Sequence, residues 1–232
     1  MDKNIQDPAM QDIKTHTRVN DILLGPLERP ALQFFARCMP AWVTPDKLTA
    51  FGLLGSVLIF ISYILTRRDP GFLWLASLGF VINWFGDSLD GTLARYRNIQ
   101  RPIYGFFVDH SLDAVSEAMV FIGLGLSPYV RLDLALLALV GYLMMSILVY
   151  IRTCVDGVFK ISYGKLGPTE IRLIAILANT ILFFSSNPQW NTSVGTFGIY
   201  DLMVIVIIVI LYSFFISTTW QEIRRLQYVD RR

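Results

Sequence analysis

From Leu202 to Trp220 the chain runs nineteen residues without a charge. At about 1.5 Å per residue, such a run is the length a helix needs to cross about 30 Å of hydrocarbon. Five more apolar stretches precede it, at roughly Leu48–Thr66, Gly71–Ala94, Tyr104–Pro128, Leu132–Val155 and Glu170–Ser186, the last being short and interrupted by Asn179. Composition agrees. Of 232 residues 54% are hydrophobic and only 16% charged, whereas a soluble domain carries roughly a quarter charged residues. Connections such as Arg67-Arg68-Asp69-Pro70 are a few residues long, so neighbouring spans are expected to be antiparallel. The expected fold class is all-α: a polytopic membrane protein with six transmembrane helices.

The segment ahead of the spans has its own pattern. Residues 1 to about 20 are polar and without apolar periodicity; the expectation is a flexible segment. They hold no early apolar run of the kind a cleaved signal peptide needs, which leaves targeting to the first span. From Leu27 to Met39 the residues Leu27, Ala31, Phe34, Phe35 and Cys38 recur at helical spacing, opposite Arg29, Gln33 and Arg37. That pattern predicts a juxtamembrane amphipathic helix lying at the bilayer surface. The chain thus divides into an N-terminal segment (1–47), a six-helix domain (48–220) and a tail (221–232). Cys38 and Cys154 stand in no metal-ligand spacing and read as small apolar space-fillers.

The net charge of +2 says little, but its placement says more. Only Arg67, Arg68 and Arg131 fall in the first, third and fifth connections; the other seventeen of the twenty Lys and Arg residues fall on the opposite side. The positive-inside rule therefore places both termini in the cytoplasm, across a cell inner membrane or an endoplasmic-reticulum-type membrane. No nucleic-acid partner is expected.

Against this background four acids need explaining. Asp87 and Asp90 stand three apart at the end of the second span, and Asp109 and Asp113 four apart at the start of the third. On a helix each pair shares a face. Carboxylates beside hydrocarbon are expensive unless something positive holds them. Helix capping fails for Asp87 and Asp90, because a carboxylate at a helix C-terminus opposes the dipole. An ion or proton pathway, as in a non-enzymatic carrier or channel, calls for acids near the midplane, and these lie within about two turns of the cytoplasmic edge. A divalent-metal site fits best: hard cations take carboxylate oxygens and bridge to phosphates, and four carboxylates suffice for two ions. Gly86, Gly91, Ala94 and Gly105 surround the acids. They leave room for a bulky group beside the backbone, or serve close helix packing.

The run Asp87-x2-Asp90-Gly91-x2-Ala94-Arg95-x9-Gly105-x3-Asp109-x3-Asp113 resembles the complete signature of the CDP-alcohol phosphatidyltransferase family, with eight fixed residues at fixed spacing. The Thr44-Pro45-Asp46-Lys47-Leu48-Thr49 run before the first span is also similar to that family's pattern. The resemblance implies six transmembrane helices, a homodimer and a cytoplasm-facing cavity. It further implies two Mg²⁺ or Mn²⁺ ions held by Asp87, Asp90, Asp109 and Asp113. The implied reaction moves a phosphatidyl or other substituted phosphate group from a CDP-linked lipid such as CDP-diacylglycerol to an acceptor hydroxyl, releasing CMP. By the family's pattern Asp113 is also the general base, and Asp87, Gly91, Ala94, Arg95 and Gly105 border the nucleotide. Arg95 has a second reading as an interface anchor.

The acceptor stays open. Glu117 extends the Asp109–Asp113 stripe by one turn and either orders the cavity or touches the acceptor. Arg152, Lys160, Lys165 and Arg172 cluster around the fourth connection. Of these, Arg152, Lys165 and Arg172 are candidates to hold a phosphorylated acceptor such as inositol phosphate or glycerol phosphate, although the positive-inside rule also accounts for them. His110, next to Asp109, points instead to an amino-alcohol acceptor, or to a reaction of the choline/ethanolamine phosphotransferase type, using a CDP-amino alcohol and diacylglycerol. As a base it ranks below Asp113, because one position along a helix turns a side chain by about 100°.

Overall fold

The computed structural model describes residues 17–19, 23–156, 158–160, 167–185, 187–193 and 195–229, with 17–19 and 158–160 by their backbone alone. Helices carry the architecture: α1 (Gly25–Cys38), α2 (Pro45–Leu65), α3 (Phe72–Tyr96), α4 (Pro102–Leu126), α5 (Leu132–Asp156), α6 (Pro168–Phe184) and α7 (Ile199–Val229). Two small sheets qualify the all-α expectation. β1 (Thr17–Val19) pairs in parallel with β2 (Val158–Lys160), and β3 (Gln189–Thr192) forms an antiparallel hairpin with β4 (Gly195–Gly198). Part of the stretch expected to be flexible is thus strand; residues 1–16 lie outside the described residues.

Among the described residues α2, α3, α5 and α7 are long and apolar enough to cross a membrane, and the protein is a membrane protein. The sequence shows why α4 and α6 are marginal by the same standard. α4 carries Asp109, Asp113 and Glu117, and α6 has only 17 residues. Helix α7 runs on to Val229, so most of the segment expected as a tail continues the helix.

Packing follows a chain of neighbours: α6 on α3, α3 on α2, α2 on α4, α4 on α5, and α5 on α7. The tightest contact is α2 on α3, and glycines allow it. A Cβ at Gly55 would lie 2.5 Å from the Asn83 amide nitrogen, and one at Gly86 would lie 2.5 Å from the Leu48 carbonyl. Backbone this close excludes any side chain. The core between the helices is built from Ile59, Tyr63, Leu73, Ala76, Phe80, Ala138 and Val204.

Within that core Tyr63 Oη donates to Asn179 Oδ1 at 2.9 Å, and Asn179 Nδ2 donates to Ser77 Oγ at 3.2 Å, tying α2, α6 and α3 together. The interruption of the fifth apolar stretch is therefore a satisfied polar bridge. Tyr63→Phe leaves the Asn179 oxygen without its donor and is expected to destabilise the protein by about 1–3 kcal/mol. Thermal unfolding in detergent checks this; an unchanged midpoint would show that the bridge contributes nothing.

Helix α1 packs on α3 through a face beside the apolar stripe that its periodicity assigns to the bilayer surface. Leu32 and Ala36 are buried with Leu89 and Leu93 of α3, whereas Leu27 and Phe34 of the expected apolar stripe are exposed. Glu28 holds it at one end, accepting from Trp84 Nε1 and Thr169 Oγ1, both at 2.9 Å. Buried Glu170 adds a second tie, accepting from the Leu24 amide at 2.7 Å and the Gly167 amide at 2.9 Å. Cys38 and Cys154, expected as space-fillers, are both exposed.

Candidate functional site

The α3–α4 connection sets the site. Asn98, with φ 56°, takes the left-handed conformation that ends α3. The Ile99 amide then bonds to the Ala94 carbonyl at 3.0 Å and the Asn98 amide to the Arg95 carbonyl at 3.2 Å, a Schellman closure. Arg97 reaches back to the carbonyls of Met39, Pro40 and Val43, and Arg101 pairs with Asp46. The hydrogen bond to Asp46 lifts the Arg101 guanidinium further above its ordinary value. Pro102 then opens α4, its missing N–H being no loss at a first helical position. Three arginines counted for topology thus divide between structure (Arg97, Arg101) and the signature (Arg95).

Asp87 of α3 and Asp109 and Asp113 of α4 line one cleft together with Thr49, Gly52, Asn83 and Ser116. Asp90 is buried beside the lining residue Thr49, accepting a 2.5 Å hydrogen bond from its Oγ1 and another from the Gly91 amide. Three of the four acids foreseen in the sequence therefore line one cleft, and the fourth is tied to it through Thr49. Asp87 is also held from outside the signature, accepting from Arg172 Nη2 at 2.6 Å. Arg172 Nε donates to Asn83 Oδ1 at 2.7 Å. Thr49 and Asn83 were not singled out as site residues. The available signals were Thr49's place in the motif before the first span and Asn83's polarity four residues ahead of Asp87.

The glycines divide by role. Gly86 is consumed by packing on α2, so it offers no room for a ligand, in contrast to one of its two expected uses. A Cβ at Gly91 would come only to ordinary contact, 3.4 Å, with the flexible Arg95 end, and Gly105 has nothing within 4 Å and borders open space. Ala94 is half-buried and Arg95 exposed, its Nη2 donating to Thr92 Oγ1 at 3.1 Å. Glu117 is half-buried on α4, one turn beyond Asp113.

The two described arginines of the basic cluster around the fourth connection part company. Arg152 pairs with Glu222 of α7 at 2.7 Å and lines a separate apolar cleft between α5 and α7, whereas Arg172 turns to Asp87. Lys165 and the Lys160 side chain lie outside the described residues. His110 is closer to the acids than its offset on the helix suggests: its Nδ1 is 3.7 Å from Asp113 Oδ2. Its ring also packs edge-on against Phe106 at 4.3 Å.

The donors are carboxylate and hydroxyl oxygens, the chemistry of a hard divalent cation. Among the described residues no three acidic, His or Cys side chains are drawn together as a ligand set. Asp87 is turned to Arg172 and Asp90 to Thr49.

Comparison with known proteins bears on the same residues. The chain is 30% identical over 183 residues to cholinephosphotransferase 1 of Rattus norvegicus, covering 72% of this chain and 44% of that protein. It is 33% identical over 104 residues to the archaetidylinositol phosphate synthase of Pyrococcus horikoshii, covering 45% of this chain and 52% of the relative. It is 36% identical over 86 residues to the phosphatidylinositol phosphate synthase of Cutibacterium acnes, covering 37% and 39%. The chain spans about half the length of the curated cholinephosphotransferases it matches. The model of the CDP-alcohol phosphatidyltransferases matches residues 42–220, from the connection ahead of α2 to the last third of α7 and with all four aspartates inside. A match of that extent, over a cleft built from the family's own signature, makes this chain a member of the CDP-alcohol phosphatidyltransferase family.

Proposed function

We propose that the protein transfers a phosphatidyl-type group from a CDP-linked lipid such as CDP-diacylglycerol to the hydroxyl of a small alcohol, inositol phosphate or glycerol phosphate being the acceptor class, with release of CMP. The observation that carries this reading is the convergence of Asp87, Asp109 and Asp113 on one cleft, with Asp90 tied to it through Thr49. In this reading Asp87, Asp90, Asp109 and Asp113 hold two Mg²⁺ or Mn²⁺ ions, which supply charge neutralisation and alignment for displacement at phosphorus. Asp113 takes the proton of the attacking hydroxyl. Gly91, Ala94, Arg95 and Gly105 border the nucleotide on the open side of the α3–α4 connection, and Glu117 and Arg172 face the acceptor.

The reading also includes six membrane-spanning helices, α2 to α7, with α1 docked at the interface and both termini and the cleft on the cytoplasmic side. CMP then leaves into water while the lipid stays in the bilayer. A homodimer is proposed from the family.

A second reading has its own observation. His110 lies 3.7 Å from Asp113, in reach of the same hydroxyl, and part of the match is to cholinephosphotransferases. In that case the donor is a CDP-amino alcohol and the acceptor diacylglycerol.

The test is incubation of the purified full chain with Mg²⁺ or Mn²⁺ and, in separate arms, CDP-diacylglycerol plus each acceptor or CDP-choline plus diacylglycerol. CMP and lipid products are read by mass spectrometry. CMP with a new phospholipid in the first arm is expected. Product only in the second arm favours the second reading, and solute flux across sealed vesicles without CMP would favour a carrier.

A further inference from the structure

We propose that Arg172, tethered by Asn83, is a built-in counter-ion for Asp87 that a divalent cation has to displace, so that metal loading frees the guanidinium for an anionic substrate oxygen. This rests on the reading of Asp87 as a metal ligand.

Asn83 and Asp87 are four apart on α3, so their side chains stack on one face. One edge of the guanidinium spans them, with Nε on Asn83 Oδ1 at 2.7 Å and Nη2 on Asp87 Oδ2 at 2.6 Å. The tether cannot turn over. Asn83 Nδ2 donates to the Gly52 carbonyl at 3.2 Å and to Ser56 Oγ at 3.0 Å, so its oxygen is obliged to face Arg172. A flipped amide would set NH₂ against a guanidinium and leave two acceptors on α2 unserved.

The other edge of Arg172 is unfinished: Nη1 is buried and has no hydrogen-bond partner. A purely structural ion pair satisfies its buried donors; this one keeps a donor in reserve on the guanidinium that holds two residues of the cleft wall, Asn83 and Asp87. A cation at Asp87 and the guanidinium compete for the same oxygen lone pairs and repel each other. When the cation takes Asp87, Nη2 is released while Nε stays on Asn83, and two N–H-bearing nitrogens of a charged fork become available together. That is the geometry that recognises phosphate oxygens. Metal therefore binds before the anion. Asn83 is a positioning residue, acting only through Arg172.

Direct Mn²⁺ titration of the full-length protein in detergent, read by electron paramagnetic resonance without substrate, tests this. Arg172→Met is expected to bind Mn²⁺ about tenfold tighter than the parent, having lost a charge-assisted competitor. Asn83→Leu is expected to shift in the same direction by a smaller factor, and Asp87→Asn to bind more weakly. A general loss of structure would weaken binding in all three, so the sign separates the roles. Unchanged or weaker binding by Arg172→Met, with Asp87→Asn weakened, overturns the counter-ion proposal alone. If Arg172→Met does not fold, Asn83→Leu decides by the same criterion. Equal binding by parent and Asp87→Asn overturns the metal reading and this proposal with it.

Discussion

Asp113→Asn is expected to lower metal-dependent CMP release by about a thousandfold, within the range for losing a general base, in a protein that still folds. The change keeps the side chain's shape and removes its charge. Asp113 stands on the cleft wall with 38% of its side chain exposed, so no packing is lost. Asp109→Asn, one turn earlier on the same face of α4, is expected to be equally inactive through its proposed place among the ligands. Chromatographic CMP release, beside elution profile and thermal unfolding in detergent, checks both. Normal turnover by Asp113→Asn would move the base elsewhere, and His110, at 3.7 Å, is then the first residue to replace.

Gly86→Val is expected to have the largest structural effect of any single change near the cleft. Its Cβ would strike the Gly52 amide and come within 2.5 Å of the Leu48 carbonyl. These are backbone atoms of α2, which cannot rotate aside as a side chain can. Overpacking of this kind destabilises by 3 kcal/mol or more, at or above the upper end of the range of about 1–3 kcal/mol. Relief by separating the helices would take Asp90 off Thr49 and Asn83 off the Gly52 carbonyl, so the cleft fails with the packing. Gly105→Val is the control: with no neighbour within 4 Å, its Cβ leaves folding intact and removes space only from the proposed nucleotide side. Yield of monodisperse protein and its unfolding midpoint distinguish the two. A Gly86→Val protein as stable as the parent would show that α2 and α3 are not locked at this crossing.

What could be read along the chain was whatever has a period or a fixed spacing. Six apolar runs correspond to α2 to α7, and eight signature residues name the acids. The readings that changed depended on a neighbour. Periodicity in α1 gives the helix and its apolar stripe, whereas the face buried in the protein is decided by α3, which offers Leu89 and Leu93 to Leu32 and Ala36 and leaves Phe34 outside. Arg152 and Arg172 looked equivalent as basic residues flanking one connection. Glu222 claims the first and Asp87 the second, and each pairing spans fifty or more residues of sequence. Gly86 left ligand space and close helix packing both open, because a missing side chain reads the same whether a substrate or a helix fills the gap; packing on α2 decides it.

The four aspartates and the helices that carry them follow from the order of residues alone, because helical period and membrane thickness are local constraints, and the fixed spacing of the signature is what resembles the family. Which groups restrain those aspartates does not. Thr49 holds Asp90 from α2, and Arg172 holds Asp87 from α6, with Asn83 beneath. Hydrogen bonds and ion pairs across helices depend on which faces meet, and those faces are chosen by glycine contacts and packing far from the acids in sequence.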